Sequence, residues 1–143
     1  MGVRPQLTLL AGGVGAAKFL RGLIRSADPD DLTIVVNTAD DDRFFGLAVS
    51  PDLDTLTYTL ADLAPRGRGW GRADDRFRCL AELRRLYRGA GWFQLGDRDL
   101  ATHIYRTDRL AAGAPLSTVT RELCRAFGVR SPGRSGRSVL LPR

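Results

Sequence analysis

The alternation of apolar and polar stretches predicts a strand, a helix and a second strand at the start of the chain. Gln6–Ala11 is short and apolar, and Leu32–Asn37 is a nearly continuous β-branched run, typical of a parallel strand covered on both faces. Between them, apolar residues recur at helical spacing over Ala16–Ser26, namely Phe19, Leu20, Leu23 and Ile24. A strand–helix–strand unit of this length predicts an α/β fold with a parallel sheet, flanking helices and a right-handed crossover.

The rest of the chain is predicted to be mostly helical. Helices are expected over Thr55–Leu63, Ala73–Arg88 and Leu100–Ala112, and Ser117 is the expected N-cap of a last helix. The residues expected to face inward are Phe77, Leu80, Leu83 and Leu86 in the second of these helices and Val119, Leu123 and Phe127 in the last. The polar stretch Asn37–Thr55 and the glycine-rich Pro65–Gly71 are expected to be loops.

The sequence changes character near its end. From Arg130 onward it has no hydrophobic periodicity, and two strands are too few for a complete parallel sheet. We therefore expect residues 1–128 to be the N-terminal part of a larger α/β domain that is truncated here, and residues 129–143 to be an irregular tail. A natural C-terminal extension is the alternative.

Composition and charge narrow the classes of function. The net charge is +6, but four arginines and no acids fall in the last fifteen residues, which leaves +2 for residues 1–128. Only Lys18 among the 22 basic residues is a lysine, which is typical of a GC-rich genome rather than of a nucleic-acid surface. No stretch approaches the roughly 20 apolar residues of a membrane span, and no secretory signal is evident. Cys79 and Cys124 are expected to be buried thiols of a cytoplasmic protein.

Gly12, Gly13 and Gly15 lie between the first strand and the first helix. Glycine permits positive φ and the close approach of a ligand to the main chain, and a helix start offers N–H groups to an anion. The turn is therefore a candidate phosphate site, with a tight turn that binds nothing as the alternative. A dinucleotide-binding fingerprint would place a third glycine where this chain has Lys18.

Five aspartates follow the second predicted strand: Asp40, Asp41, Asp42, Asp52 and Asp54. Ligands of open α/β sheets bind at the carboxyl ends of the strands. Carboxylates at this density repel one another unless arginine or a metal compensates them, and Mg²⁺ together with substrate phosphates suits such a set. The alternatives are solvated side chains at Asp41 and Asp42 and an N-cap role for Asp54.

The segment Leu95–His103 combines acids, Arg98 and the only histidine of the chain. An Asp-Arg-Asp run can orient an arginine toward phosphate, because the guanidinium fork matches phosphate oxygens. The alternatives are a helix start with Asp97 or Asp99 on the helix dipole, and a structural role for His103. No Ser-His-Asp arrangement or nucleophilic cysteine is indicated.

Taken together, these stretches resemble the 2-phospho-L-lactate transferase family of coenzyme F-420 biosynthesis. The matching segments run in the family's order over residues 7–129: LAGGVGAAKFLRGL, VVNTADDD, SPDLDTLTYTLADL, GWG, WFQLGDRDLATH and RTDRLAAGAPLSTVTRELCRAFGV. SPDLDT and LGDRD are the specific parts. After this point the family continues with a further strand and a long second half, where this chain has RSPGRSGRSVLLPR.

The resemblance implies a Rossmann-like fold and a transferase activity. A phosphoenolpyruvyl or 2-phospholactyl group would move from a guanosine diphosphate-linked donor to the deazaflavin Fo, with Mg²⁺ required and GMP released. Which of the two groups is transferred stays open. The full-length protein would be a cytoplasmic homodimer, without a nucleic-acid or membrane partner.

The resemblance also implies roles for individual residues. The glycines Gly12, Gly13 and Gly15 would lie against the donor phosphates, and Asp54 and Gln94 would contact Fo. The metal region serving Mg²⁺ would comprise Asp40, Asp41, Asp52 and Asp54. No catalytic residue is implied.

Two other classes of protein remain as alternatives. A nucleotide-sugar-binding regulatory protein of the gluconeogenesis-factor type is similar in its first strand–helix–strand unit, but has a glycine- and serine-rich stretch where this chain has RFFGLAVSPDLDT. A nicotinamide-dependent oxidoreductase is disfavoured by the missing third glycine.

Overall fold

Two parallel strands form the first sheet of the protein. A computed structural model describes residues 6–28, 31–87 and 93–129. Strand β1 (Leu7–Ala11) pairs with strand β2 (Leu32–Val36), and Leu7 lies opposite Leu32. Helix α1 (Gly13–Leu23) connects them, so the predicted strand–helix–strand unit and the α/β class are confirmed. The helix begins at Gly13, three residues before the predicted start, because the glycines themselves form its first turn.

The main core lies between this sheet and two helices. Helix α2 (Pro51–Leu60) packs against α1, and both face the strands. Leu20, Leu53 and Leu56 are fully buried there, together with alternate residues of β2. Phe19, which was expected in the apolar face of α1, is 59% exposed. The core therefore uses the narrower stripe of α1 that contains Ala17 and Leu20.

Helix α2 begins four residues earlier than predicted. Its N-cap is Ser50 and its first residue is Pro51, whose fixed φ and missing N–H suit a first helical position. The N-cap role considered for Asp54 is therefore wrong, since Asp54 lies inside the helix. The early start matters for function because it fixes the helical positions of Asp52 and Asp54.

A short antiparallel hairpin precedes α2, where a loop was predicted. Strand β3 (Asp42–Phe44) pairs with strand β4 (Leu47–Val49). The two connecting residues, Phe45 and Gly46, have φ values of 51° and 77°, as a type I′ turn requires. The hairpin encloses a second apolar cluster in which Phe44 and Val49 pack on Leu95.

The N-termini of helices α3 (Arg78–Leu86) and α4 (Asp97–Ala111) are capped by an exchange between the first residue of α4 and the segment just before α3. The carboxylate of Asp75 accepts the backbone N–H groups of Arg98 and Asp99 at the start of α4. That of Asp97 accepts the N–H groups of Arg78 and Cys79 at the start of α3. This exchange fixes the start of α4, which carries much of the site described below.

The last helix, α5 (Leu116–Ala126), covers α2 and α4. Val119 and Leu123 are buried as predicted, but the N-cap is Pro115 rather than Ser117. In α3 the expectation that Leu86 faces inward is wrong, because its side chain is 76% exposed. The predicted division at residue 128 stays a prediction, since residues 130–143 lie outside the described part.

Two further expectations concern the cysteines and the membrane. Cys79 is exposed and Cys124 is half-buried, so the expectation of two buried thiols is wrong. Within the described ranges, no helix is long and apolar enough to cross a membrane.

Candidate functional site

A strand-end cluster forms where β1 and β2 end beside the start of α2. We use this name for Gly13, Asn37, Asp40 and Asp52. Asp52 Oδ1 accepts the backbone N–H of Gly13 at 2.8 Å, and its Oδ2 accepts the side-chain amide of Asn37 at 3.0 Å. The same amide donates to Asp40 Oδ2 at 3.2 Å. One neutral amide thus joins two carboxylates at the edge of the glycine turn.

Asp41 lies beside this cluster, toward the start of α2. Its Oδ2 accepts the Ser50 hydroxyl at 2.7 Å. Burial raises the pKa of Asp41, and the hydrogen bond from Ser50 opposes that rise. The alternative of a merely solvated Asp41 is therefore wrong, whereas Asp42 is exposed on β3 and accepts the N–H of Arg43.

A buried cluster lies on the other side of α2; its members are Asp54, Tyr58, Asp99, His103 and Arg106. Both terminal nitrogens of Arg106 contact the Asp54 carboxylate, in the two-pronged arrangement that suits a guanidinium. Burial raises the pKa of Asp54, and Arg106 opposes this rise. Burial alone would lower the pKa of Arg106, but Asp54 outweighs it and raises the pKa, so the arginine stays charged.

The remaining members of the buried cluster form a chain of hydrogen bonds. The Tyr58 hydroxyl lies 2.7 Å from Asp99 Oδ1 and 2.8 Å from Thr102 Oγ1. His103 Nε2 lies 3.4 Å from the same oxygen of Asp99. Burial pushes the pKa of Asp99 upward, but its hydrogen bonds with His103 and Tyr58 outweigh burial and hold the pKa below the usual range. Asp99 is therefore an ionised group inside the protein.

The buried cluster forms one wall of a cleft of about 330 Å³. The polar groups of the lining include Asp54, Gln94, Asp99 and His103, and the apolar and aromatic ones include Val49, Tyr58, Trp70 and Phe93. Clefts with aromatic walls and a few placed polar groups are the usual form of small-molecule sites.

The loop before α3 connects the cleft to the glycine turn. Gly69 has φ 78°, and a Cβ atom built there would lie 2.5 Å from Val14 Cγ1. The next residue, Trp70, lines the cleft, and Arg68 stacks on its ring at 4.4 Å. Close packing of this loop on α1 thus sets the position of an aromatic wall.

One group of ligand-type side chains is close enough to hold a metal ion. In the described part of the chain, single ligand atoms of Asp54, Asp99 and His103 all lie within 4.8 Å of one another. Each of these side chains is nevertheless already bonded, and Arg106 supplies a positive charge at the same place.

Comparison with known proteins shows the family to which this chain belongs. Residues 7–132 match the family described as 2-phospho-L-lactate transferase CofD. The chain belongs to this family.

Curated relatives of this CofD-family chain carry the name phosphoenolpyruvate transferase. The protein of Streptomyces griseus is 52% identical over 127 residues, which cover 87% of this chain and 40% of the relative. Those of Thermobifida fusca and Mycobacterium ulcerans are 47% and 48% identical, and the chain covers 39% and 40% of their lengths. The chain thus spans about two fifths of the relatives it matches.

The structure divides the predicted site residues of this CofD-family chain between two places. Gly12, Gly13, Asp40 and Asp52 gather at the strand ends, while Asp54 and Gln94 line the cleft. Gly15 lies in the first turn of α1, where a Cβ would meet nothing within 4 Å. Within the described ranges, neither the four aspartates assigned to the metal region nor the three at the strand ends form a group with ligand atoms within 4.8 Å of one another. Asp52 and Asp54 lie two residues apart on α2 and reach different clusters.

Several residues of this CofD-family cleft were not singled out from the sequence. Arg106, Tyr58 and Trp70 were missed, His103 was considered only in a structural role, and Asp99 only as part of a run orienting Arg98 or as a residue on the helix dipole. Asp99, His103 and Arg106 stand at i, i+4 and i+7, which places them on one face of a helix. That spacing was the available signal.

Proposed function

We propose that the full-length protein containing this chain is a transferase of coenzyme F-420 biosynthesis. It moves a phosphoenolpyruvyl or 2-phospholactyl group from a guanosine diphosphate-linked donor to the deazaflavin Fo and releases GMP. Family membership supports the reaction class, and the name of the relatives favours the phosphoenolpyruvyl group. The observation that carries the assignment to this chain is the cleft, which brings Asp54 and Gln94 together.

The cleft is the proposed Fo site. A deazaflavin is a planar aromatic ring system with polar edges. Trp70 and Phe93 offer aromatic surface to such a ring, and Asp54 and Gln94 offer polar groups to its edge or its side chain. The Asp54 carboxylate is held by Arg106, so it would meet the ligand in one orientation.

The glycine turn is the proposed site of the donor phosphates. Helix α1 has no acidic residue in its first turn, so the positive end of its dipole faces the turn without an opposing side chain of its own. The carboxylate of Asp52 holds the Gly13 N–H. Phosphates would therefore approach the turn at Gly12 and Gly15.

Mg²⁺ would be held by Asp40, Asp41 and Asp52. These carboxylates offer oxygen atoms near the proposed phosphate site, but in the described ranges they do not form a group with ligand atoms within 4.8 Å of one another, and both oxygens of Asp52 are already bonded. Oxygens of the donor phosphates would therefore have to complete the coordination of the ion. Asp54 was part of the metal set implied by the resemblance, but its oxygens are engaged by Arg106, and we assign it to Fo. The bound ion would neutralise charge on the donor phosphates.

The chemistry then requires mainly positioning. A hydroxyl oxygen of Fo forms the new bond to phosphorus, the bond from that phosphorus to GMP breaks, and the hydroxyl proton is released. Holding the acceptor in the cleft and the donor at the turn converts a bimolecular encounter into a local one. The homodimer and the cytoplasmic location implied by the resemblance stay predictions.

The test is the Asp54→Asn variant of the full-length protein. The substitution keeps the shape of the side chain and removes the charge that Arg106 orients, so we expect weaker Fo binding and slower GMP release. Asp42→Asn is the matched control, because Asp42 is an exposed acid of the same region. Thermal melting of both variants shows whether each is folded. If folded Asp54→Asn titrates Fo as tightly and turns over as fast as its parent, the role of Asp54 is wrong.

A further inference from the structure

The buried cluster has the spacing of a metal site, but its histidine has no lone pair to offer. A guanidinium has only N–H donors, so any atom that hydrogen-bonds to it must accept. Arg106 Nη1 lies 3.1 Å from His103 Nδ1. Nη1 also faces Asp54 Oδ2 at 3.1 Å and the Ala48 carbonyl at 3.4 Å, so its two hydrogens are shared among three acceptors. Because Arg106 can only donate, the contact gives Nδ1 the acceptor role, which leaves Nδ1 without a proton.

The second ring nitrogen is accounted for in the same way. A neutral imidazole with a bare Nδ1 carries its proton on Nε2. Nε2 faces Asp99 Oδ1 at 3.4 Å, and the same oxygen accepts the Tyr58 hydroxyl. A metal ion needs an unprotonated nitrogen, so neither nitrogen of His103 is open to one.

The carboxylate at the centre of the cluster is also in use. Each oxygen of Asp54 is bonded to a different terminal nitrogen of Arg106, which is 1% exposed. A divalent ion placed among these groups would lie beside a buried guanidinium, and two like charges at that distance repel strongly. The side chains present therefore do not fit a resident metal ion.

We propose that the Arg106 guanidinium is the resident cation of the buried cluster, in the place that a metal ion would take, and that Arg106 is a positioning residue for the cleft. It holds Asp54 directly. Through His103, which it fixes as the Nε2–H tautomer, it also orients Asp99. Both acids line the cleft, so one arginine sets two of its polar groups. The inference concerns the chain's own side chains and does not depend on which acceptor the cleft binds.

The single histidine of the chain makes the tautomer directly measurable. In a long-range ¹H–¹⁵N correlation spectrum of the ¹⁵N-labelled chain at neutral pH, we expect one protonated nitrogen, Nε2, and one unprotonated nitrogen, Nδ1. A neutral ring protonated on Nδ1, or a ring protonated on both nitrogens, would overturn the proposal.

Zn²⁺ tests whether the guanidinium excludes a metal. One equivalent of Zn²⁺ should leave both His103 nitrogens unshifted in the parent chain and shift Nδ1 in Arg106→Gln, where the lone pair and Asp54 are released. Arg109→Gln is the control, because Arg109 lies one turn further along α4 and pairs with Glu122 at the surface. A shift in the parent, or none in folded Arg106→Gln, contradicts the proposal. If Arg106→Gln does not fold, the spectrum of the parent with and without Zn²⁺ decides.

Discussion

Gly15→Ala tests whether the glycine at position 15 is needed for the stability of the fold or for the binding of a ligand. Gly15 lies in the first turn of α1, and a Cβ atom built there meets nothing within 4 Å in the described part of the chain. Alanine is favoured over glycine inside a helix by about 0.8–1 kcal/mol. We therefore expect Gly15→Ala to raise the free energy of unfolding by about 0.5–1 kcal/mol, or the Tm by roughly 2–4 °C.

Two other glycines of the same helix provide matched controls. Gly22 also has open space around its Cβ position, so Gly22→Ala should stabilise the chain by a similar amount. Gly13 has φ +66°, a left-handed conformation that costs an L side chain about 1–2 kcal/mol, so Gly13→Ala should destabilise it. Urea unfolding followed by circular dichroism orders the three variants.

Ligand binding then separates the two roles of Gly15. If Gly15 contacts the donor phosphates, Gly15→Ala should weaken the binding of GDP with Mg²⁺ to the full-length protein, measured by calorimetry, whereas Gly22→Ala should not. If Gly15→Ala destabilises the chain, the space around residue 15 is not open. If it stabilises the chain and GDP binds unchanged, the glycine is not there for the donor.

Three further predictions concern the surroundings of the site. Gly96→Ala should lower the free energy of unfolding by about 1–2 kcal/mol, because the new Cβ would collide with the Asp75 carboxylate that caps α4. Asp75→Ala removes the same cap and should lower it by a similar amount. Urea unfolding measures both variants, and an unchanged stability of Gly96→Ala would contradict this explanation. Asp52→Asn should cost about 1–3 kcal/mol, since its amide cannot accept from both Gly13 and Asn37; an unchanged urea midpoint refutes it. Burial raises the pKa of Tyr58, so the stability that the neutral hydroxyl contributes is present below pH ~10 and is lost as the pH rises further. Tyr58→Phe should therefore make the free energy of unfolding fall less steeply at alkaline pH. An equally steep fall in the variant would contradict the raised pKa.

The parts of the fold that are local in sequence could be predicted. The pattern of apolar residues predicted β1, α1 and β2, because apolar residues recur along each of these elements with the spacing typical of a strand or a helix. The hairpin was missed because its turn residues are Phe45 and Gly46. A phenylalanine does not indicate a type I′ turn in the sequence, whereas an asparagine at the same position would. The predicted start of α2 is four residues too late, because Ser50 and Pro51 lie in a polar stretch whose composition predicts a loop.

The candidate site could be predicted only in part, for a different reason. The glycines and Asp52 follow their strands directly, so the carboxyl-end rule brings them together. Asp54 and Arg106 are 52 residues apart in sequence, so no local sequence pattern can predict that this arginine pairs with this buried acid. Their pairing depends on how α4 packs, and that is set by the hairpin and by the capping exchange with Asp97.

Helix α2 explains why one short motif contributes to both the strand-end cluster and the buried cluster. Residues two apart on an α-helix point about 200° apart, so Asp52 and Asp54 of SPDLDT face opposite ways once the helix begins at Pro51. Asp52 reaches the glycine turn at Gly13, and Asp54 reaches the cleft beside Arg106. In a group transfer, donor and acceptor must meet within bonding distance while their charges are balanced separately. Under the proposed function, a rigid helix with Asp52 toward the donor and Asp54 toward the acceptor would meet that requirement, because neither acid could move without moving the other.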